Sequence, residues 1–337
     1  MENSMERKKL ILAPMATLSH EAFRRCVAKF GGCDEYFTEM INAGSLLNMG
    51  PWEKFYLMAG PEPEKIVWQL TGSEAEKMGD AAKILAVREG IGVDLNMGCS
   101  APQISKTGAG ISWMLKERSE TEKMVRLVKK ALDENKDSDG KTKRLSVKMR
   151  LGDENFSREK LFDFCSMLVD CGVEMMTLHP RTKKEKYREH SRWEFVADLT
   201  EKFPNIPIIL NGDVKDFSSY EAAVKSAPKC SGVMIARMAA QKPWIFREIL
   251  LGDDEKIEID REKLAQDFIS DVEECQPKEF WKTRLQRFFA YYCLNFSFSH
   301  YFQSQMMNSK DNTDARAKIH EYFEKCPDDR MMVLKKN

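Results

Sequence analysis

The stretch IPIILNGDVKDFSSYEAAVKSAPKCSGVMIARM, residues 206–238, holds two short apolar runs separated by one helical segment. IPIILNGD and SGVMIARM are rich in aliphatic residues and have the length of buried strands. DFSSYEAAVKSAP, which lies between them, has a helical pattern and ends at a proline, where helices stop. The stretch therefore predicts a strand, a helix and a second strand, which is the repeat of an α/β fold.

The same unit recurs along the chain. The six other apolar runs are LILAPMA, EYFTEM, KIVWQLTG, GVDLNMG, LSVKMRLG and EMMTLHP, and helical patterns such as EAEKMGDAAKILAVREG lie between them. Nearly continuous apolar runs are typical of parallel strands covered on both faces. Eight of them, alternating with helices, predict a (β/α)8 TIM barrel of the α/β class. A doubly wound sheet is the structural alternative, but it does not need eight successive strands.

Polar residues stand at the carboxyl ends of these runs. They are Thr38, Glu39, Gln69, Asn96, Cys99, Lys148, Arg150, His179, Arg181, Asn211, Asp213 and Arg237. In a TIM barrel the carboxyl ends of the strands form the rim on which active sites are built. The sequence therefore predicts an active site on that rim.

The strand-and-helix repeat ends soon after Arg237, and from about Gly252 the chain is helical and rich in charge. We therefore expect two domains, a barrel over residues 1–250 and a smaller all-helical domain over residues 251–337. The insert LDENKDSDGKTKR, residues 132–144, is polar and low in apolar residues, which predicts a solvated helix end and loop.

Composition excludes several classes of protein. The 337 residues carry no net charge, so a strongly basic nucleic-acid binder is excluded, and RNA contacts would have to be local. No apolar run approaches the roughly 20 residues of a membrane span, and the first residues do not resemble a secretory signal, so we expect a cytoplasmic protein. Nine cysteines without a C-x-x-C pair, and histidines without metal-ligand spacing, predict neither a disulfide framework nor a metal site.

Several short motifs follow one another at the strand ends. They are LAPMA, TEM, QLTG, DLNMGC with a following GAG, VKMRLG, LHPRT, NGD and PWIF. In these motifs and their order the chain resembles the tRNA-dihydrouridine synthases, flavin-dependent enzymes with an FMN-binding TIM barrel and a helical RNA-recognition domain. The resemblance covers about residues 10–250 and is weak in the tail. It implies reduction of the C5–C6 double bond of specific uridines in tRNA, with FMN as cofactor and NADPH or NADH as electron donor. Separately, we expect the protein to be a monomer.

The resemblance implies a set of FMN contacts. These are Pro14, Met15, Ala16, Gln69, Lys148, His179, Asn211, Gly212, Asp213, Ala236 and Arg237. Their chemistry suits the cofactor, because a lysine stabilises the negative charge of a reduced flavin and an amide both donates to and accepts from its heteroatoms. The phosphate would lie on the loops after strands seven and eight, the usual phosphate site of this fold. The alternatives are a barrel-interior Lys148 paired with Glu39 and a core histidine at 179.

Cys99, in the turn after the fourth run, is the implied catalytic residue. Reduction of uracil needs a hydride at C6 and a proton at C5, and a thiol, which is mostly protonated at neutral pH, can give the proton. The alternative is that Cys99 is a small buried hydrophobe. The other expected substrate contacts are Glu39, Asn96, Arg181 and Lys106, and a purely structural cap is the alternative for Asn96.

Two local groups of basic residues are predicted to contact RNA. Arg181, Lys183, Lys184, Lys186, Arg188 and Arg192 follow the sixth run, and Lys278, Lys282, Arg284 and Arg287 lie within one helical stretch of the tail. Phosphate contacts need such clusters, although a solvated charge run is the alternative for the first. A uridine in folded tRNA would have to leave its stack to reach Cys99.

The chain departs from the family pattern at several positions. Ser100 and Gln103 stand where proline and lysine are usual, Pro180 replaces a glycine, and Ala236 and Met238 replace the glycines on either side of Arg237. Because the thiol, the amide and the two cations of the motifs remain, the sequence favours a divergent but active enzyme. The alternatives are an FMN-dependent barrel oxidoreductase acting on a free pyrimidine and a catalytically silent RNA-binding protein.

Overall fold

The computed structural model describes residues 7–185 and 188–335. The strands are β1 (Lys9–Leu12), β2 (Glu35–Phe37), β3 (Ile41–Asn42), β4 (Ile66–Thr71), β5 (Gly92–Met97), β6 (Arg144–Met149), β7 (Met175–Leu178), β8 (Ile208–Asn211), β9 (Gly232–Ile235), β10 (Lys256–Asp260) and β11 (Met331–Lys335). The helices of the first 250 residues are α1 (Glu21–Ala28), α2 (Ala43–Leu47), α3 (Glu53–Tyr56), α4 (Ala75–Ala86), α5 (Pro102–Ser105), α6 (Arg118–Glu134), α7 (Arg158–Asp170), α8 (Glu194–Lys202), α9 (Phe217–Ser226), α10 (Arg237–Gln241) and α11 (Ile245–Leu250). Those of the tail are α12 (Arg261–Cys275), α13 (Lys278–Tyr292), α14 (Ser299–Met307) and α15 (Asn312–Lys325). Short 3₁₀ helices cover Pro63–Lys65, Gly110–Met114, Cys293–Asn295 and Pro327–Asp329.

Strands β1, β2 and β4–β9 form a closed parallel barrel. β2 pairs with both β1 and β4, and the remaining strands pair in chain order until β9 returns to β1. The short β3 pairs with the end of β4 and adds no member to the barrel. Each of the eight apolar runs forms one barrel strand, so the predicted (β/α)8 barrel is confirmed.

The barrel interior has an apolar layer at mid-height and a polar layer above it. The apolar layer is formed by Ile11, Phe37, Val67, Met175, Ile209 and Met234, which make a cluster separate from the core between strands and helices. Gln69 lies two residues beyond Val67 and faces the same interior. It is in register with Asp94 on β5, and Asp94 is in register with Ser146 on β6. The apolar layer closes the barrel from below, so chemistry is confined to its carboxyl-terminal mouth.

Helix ends follow the local chemistry of their residues. Asp216 caps α9, since its side chain accepts from the Ser219 backbone N–H at 2.8 Å and the Ser219 hydroxyl accepts from the Asp216 N–H at 3.0 Å. The predicted insert forms the end of α6 and a loop, most of which is exposed. Lys143 within it is buried, and its ammonium binds the Asp137 carboxylate at 2.6 Å, which offsets the cost of burying the charge.

The tail packs helices around an aromatic core. Phe268 stacks on Phe288 with 3.8 Å between ring centroids, and Phe302 stacks on Tyr322 at 4.2 Å. Helix α12 packs on α1 of the barrel and α13 on α10. The tail is helical as expected, and it also contains a two-stranded antiparallel sheet of β10 and β11 that the sequence pattern did not predict.

Candidate active site at the barrel mouth

A cavity of about 940 Å³ lies at the carboxyl-terminal mouth of the barrel. All of the predicted cofactor residues line it: Pro14, Met15, Ala16, Gln69, Lys148, His179, Asn211, Gly212, Asp213, Ala236 and Arg237. Cys99, Asn96 and Arg181 line it as well. Helix α13 and the 3₁₀ turn after it complete the wall with Arg287, Tyr291 and Leu294, so the tail forms part of the site. Glu39 and Lys106 are not among the lining residues.

The turn that carries Cys99 is fixed on both sides of that residue. Its backbone N–H donates to Asn96 Oδ1 at 3.0 Å, and its carbonyl accepts from the Ile111 N–H at 3.0 Å. Arg150 Nε donates to the preceding carbonyl, that of Gly98, at 3.1 Å. Gly110 packs so closely that an added Cβ would lie 2.5 Å from the Cys99 carbonyl oxygen. Cys99 is partly exposed and lines the cavity, which does not fit the alternative of a buried hydrophobe.

A continuous set of hydrogen bonds runs beneath this turn. Asn96 Nδ2 donates to Gln69 Oε1 at 2.9 Å, and Gln69 Nε2 donates to Asp94 Oδ2 at 2.8 Å. The hydroxyl of Ser146 donates to the other oxygen of Asp94 at 2.7 Å. Asn96 thus caps the turn and also lines the cavity, so its predicted contact with the substrate stays a prediction.

Lys148 and Asp94 have shifted pKa values. Burial and the charge of Arg150 lower the pKa of Lys148 to about 8, against the opposing effect of Asp94. Burial raises the pKa of Asp94 to about 6, although Gln69 and Ser146 hydrogen-bond its ionised form. Pairing of Lys148 with Glu39, one of the alternatives from the sequence, is wrong, because the Glu39 carboxylate binds Arg284 at 2.8 Å.

His179, Arg181 and Asp213 form one network. Arg181 Nη1 donates to His179 Nε2 at 2.9 Å, and its Nη2 contacts both oxygens of Asp213 at 2.7 Å. Burial and the surrounding cations, first Arg150 and Lys148, lower the pKa of His179 far below its usual value. The ring is therefore neutral, and because Nε2 accepts, its proton is on Nδ1. The guanidinium of Arg181 is largely used inside the protein.

Glu39 lies between the barrel and the tail, outside the cavity wall. Its Oε1 accepts from Arg284 Nη1 and from the Thr17 backbone N–H at 2.5 Å. Thr17 has a φ of 63°, a left-handed conformation that is rare for a residue with a branched side chain. Glu39 thus joins α13 to the loop that follows Ala16. This arrangement differs from the direct substrate contact predicted for Glu39.

The predicted basic clusters are only partly available to RNA. The prediction that Arg284 faces RNA is wrong, because its side chain is 3% exposed and bound to Glu39. Arg287 is exposed and lines the cavity, and the two lysines of the same stripe, Lys278 and Lys282, are exposed. In the loop after β7, Arg192 binds Glu185 at 2.9 Å. Lys184 of that loop binds Glu154 at 3.3 Å, Lys106 is exposed at the end of α5, and Lys186 lies outside the described residues.

Loops after β8 and β9 form the end of the cavity at which a phosphate is predicted. Asn211 Nδ2 donates to the Met234 carbonyl at 2.7 Å and so ties the two strands together. Gly212 has a φ of 122°, and an added Cβ would lie 2.2 Å from Ser191 Oγ, so this turn requires glycine. Ala236 and Met238 line the same end with side chains where the family pattern has glycine.

Sequence reasoning missed four residues at this site. Asp94 and Ser146 were not predicted because they lie within apolar strands, where the sequence does not show whether a polar side chain faces the barrel interior. Trp193 donates to the Gly212 carbonyl at 3.0 Å from a loop that has no strand motif. Tyr291 reaches the cavity only because the tail folds back over the barrel.

Within residues 7–185 and 188–335 no cluster of three or more potential metal-ligating side chains occurs. No helix in these same ranges is long and apolar enough to cross a membrane.

Comparison with known proteins agrees with the motifs. A family model described as dihydrouridine synthase matches residues 11–329. A probable tRNA-dihydrouridine synthase of Aquifex aeolicus is 30% identical over 73% of this chain and 73% of its own length. The tRNA-dihydrouridine(16) synthase of Neisseria meningitidis is 30% identical over 72% of each chain. The human tRNA-dihydrouridine(47) synthase [NAD(P)(+)]-like protein is also 30% identical over 72% of this chain, which covers 35% of that longer protein. The family model spans nearly all of the chain, and the motifs lie at the rim of a barrel. The chain therefore belongs to the dihydrouridine synthase family.

Proposed function

We propose that this protein reduces the C5–C6 double bond of uridines in tRNA to give dihydrouridine. The observation that carries the proposal is the thiol of Cys99, which lies in the cavity wall on a turn fixed at both its N–H and its carbonyl. Membership of the family and the names of the relatives in Aquifex and Neisseria support this assignment. A fixed proton donor suits the reaction, since general acid catalysis depends on position as well as on pKa.

The residues present fit FMN. A cavity of about 940 Å³ is large enough for a cofactor together with a base, since pockets for such ligands span roughly 300–1,000 Å³. The wall carries a lysine and an amide for the polar edge of a flavin, Lys148 and Gln69, and an arginine, Arg237, at the end predicted for the phosphate. FMN would supply the hydride. Lys148, with its pKa near 8, would remain mostly charged at pH 7 and stabilise negative charge on the ring.

The protein's own part in the reaction is the proton. As a hydride reaches C6 of the uracil, the S–H bond of Cys99 breaks and its proton passes to C5. The thiolate that remains regains a proton from solvent, so the enzyme returns to its starting state. Asn96, three residues before Cys99, lines the cavity and would orient the uracil through the second N–H of its amide, because the first donates to Gln69.

We further propose tRNA as the substrate and NADPH or NADH as the electron donor. Arg287 and Tyr291 place a cation and an aromatic ring at the mouth, which suits phosphate contact and base stacking on a displaced nucleotide. Relatives named for positions 16 and 47 are equally similar, so their names select no position. A monomer in the cytoplasm, divided at residue 250 into a barrel domain and a tRNA-recognition domain, remains our prediction from the sequence.

The test uses purified protein reconstituted with FMN. We expect NADPH to bleach the flavin absorbance and the reduced protein to form dihydrouridine in tRNA transcripts that lack modifications. Free uridine and free orotate serve as controls for the alternative small-molecule oxidoreductase. Turnover of a free pyrimidine but not of tRNA would favour that alternative, and tRNA binding by a protein that fails to take up FMN would favour the silent RNA binder.

A further inference from the structure

Asp94 is a buried carboxylate that the proposed reaction does not use. Its side chain is fully buried beneath the cavity and does not line it. Both oxygens are nevertheless engaged, one by the Gln69 amide at 2.8 Å and the other by the Ser146 hydroxyl at 2.7 Å. Burying a carboxylate is costly, so one that is kept here invites a functional explanation.

An ionised carboxylate only accepts hydrogen bonds, and this sets the direction of every bond that follows. Gln69 must turn its NH2 group to Asp94, which leaves its oxygen to accept from Asn96. Asn96 must then turn its NH2 group to Gln69, which leaves its own oxygen facing the turn. That oxygen accepts from the backbone N–H groups of Gly98 at 3.3 Å and Cys99 at 3.0 Å.

We infer that Asp94 is a positioning residue that fixes the turn of the proton donor through the amides of Gln69 and Asn96. Without a terminal acceptor each amide is free to rotate by half a turn. A rotated Asn96 would direct its NH2 group at the backbone N–H groups of Gly98 and Cys99. Because all of these groups are hydrogen-bond donors, they would repel one another and displace the turn. The inference rests on the proposed function only in naming Cys99 as the proton donor; the hydrogen-bond relay itself is independent of the reaction.

The two oxygens of Asp94 allow matched variants. Asp94→Asn retains an acceptor for Gln69, and its new NH2 group faces the Ser146 hydroxyl, which can accept. The relay therefore keeps its direction although the charge is lost. Asp94→Leu keeps the branching at Cγ, with two methyl groups in place of the two oxygens, and removes the acceptor. Ser146→Ala removes the hydrogen bond to Asp94 Oδ1, the oxygen that Gln69 does not contact. Gln69→Met removes both hydrogen bonds of the Gln69 side chain, so that no amide group with only one partner remains at this position.

The experiment measures hydrogen exchange at the amides of Gly98 and Cys99 in the FMN-reconstituted protein, by mass spectrometry of short peptides. We expect exchange to be faster by about tenfold or more in Asp94→Leu and in Gln69→Met, because the bonds to these amides are weakened. Exchange should stay within about twofold of the wild type in Asp94→Asn and Ser146→Ala. Asp94→Ala, which removes the acceptor without adding volume, decides the matter if Asp94→Leu fails to fold.

A second readout separates positioning from general stability. We expect Asp94→Leu, at a residue that does not line the cavity, to slow the reduction of bound tRNA by about 100-fold, as misplacing a reacting group does. Wild-type exchange at both amides in Gln69→Met, or equal acceleration in Asp94→Asn and Asp94→Leu, would overturn the inference. If the exchange pattern holds but the wild type forms no dihydrouridine, the relay stands and the proposed function fails.

Discussion

Lys148 carries a charge at the cavity that depends on burial and on its charged neighbours. Its pKa is lowered to about 8, first by burial and then by Arg150, while Asp94 acts in the opposite direction. A lysine with a lowered pKa loses its charge as the pH rises through that value. The charge that would stabilise a reduced flavin is therefore present at pH 7 and lost above pH 8.

This electrostatic balance predicts the effect of Asp94→Asn on the pH profile. Removing the carboxylate removes a contribution that raises the pKa of Lys148, so the lysine should lose its proton at lower pH. We expect the alkaline limb of the rate of flavin reduction by NADPH to move down by up to about one pH unit. Stopped-flow rates between pH 6 and pH 10, with Lys148→Met as the control that abolishes the limb, measure it. A limb that stays in place would contradict this role for Asp94.

For individual residues, the sequence could identify those that follow a strand and contribute to the rim of the barrel. Cys99, Gln69, Lys148 and Asn211 were predicted in this way, and all four line the cavity. It could not identify Asp94, because a single polar residue inside an apolar run does not reveal which amide it will meet on the next strand. That meeting depends on the register of β4 with β5.

Among the elements, the segment from β5 to α6 controls the position of the thiol. Gly110 starts a 3₁₀ helix with a φ of 61°, and its α-carbon lies against the carbonyl of Cys99. A side chain here would both strain the backbone and displace the turn. The second glycine of the GAG motif is therefore needed because only glycine fits this conformation and this close contact.

We expect Gly110→Ala to lower turnover by roughly 10- to 100-fold and stability by about 1–3 kcal/mol, because its Cβ would lie 2.5 Å from the Cys99 oxygen. Gly140→Ala is the matched control. Gly140 has a similar φ of 74°, but an added Cβ meets nothing within 4 Å. It should therefore lose only stability, measured by urea unfolding, and keep wild-type turnover. Equal turnover in the two variants would mean that the close contact at Gly110 does not matter.

Strands were predicted more completely than the other elements, for a physical reason. Buried parallel strands need continuous apolar runs, and each of the eight runs is one. The β10–β11 pair was missed because each strand buries only part of one face and Lys256, Glu258 and Lys335 resemble a charged linker. Pairing across more than 70 residues leaves no local signal in the sequence.

At the scale of the molecule, Glu39 and Arg284 join the barrel to the tail. The side chains are 6% and 3% exposed, and the same carboxylate accepts from the Thr17 N–H beside the predicted flavin loop. Helix α13, which carries Arg284, also presents Arg287 and Tyr291 to the cavity. One ion pair thus connects the loop that carries three of the predicted flavin contacts with α13 at the mouth of the cavity.

We expect Glu39→Gln to destabilise the protein by about 3–5 kcal/mol, because it leaves the charge of Arg284 buried without its partner. The KM for tRNA should rise as α13 loosens. Lys29→Ala is the control, since it breaks partly exposed ion pairs with Asp267 and Asp271 between the same parts of the molecule and should cost less than about 1 kcal/mol. Chemical unfolding and steady-state kinetics test both. A Glu39→Gln protein as stable as Lys29→Ala would contradict a joining role.

The sequence could not predict this connection. Glu39 and Arg284 are 245 residues apart, and each lies in a motif that suggested contact with substrate or RNA. Only the docking of α12 and α13 on the barrel, through apolar faces, brings them together. The sequence pattern of the tail predicts its helices, but it does not predict which surface of the barrel these helices cover.

The role of Cys99 as proton donor is tested by a single turnover, in which protein whose FMN has been reduced beforehand is mixed with unmodified tRNA in the absence of NADPH. Nucleoside mass spectrometry then measures dihydrouridine in the wild type and in Cys99→Ala. We expect product in the wild type and a loss of about 10²-fold or more in the variant, the contribution of a positioned general acid. FMN binding and flavin reduction should be unchanged in the variant. Equal amounts of dihydrouridine from the two proteins would contradict the role of Cys99.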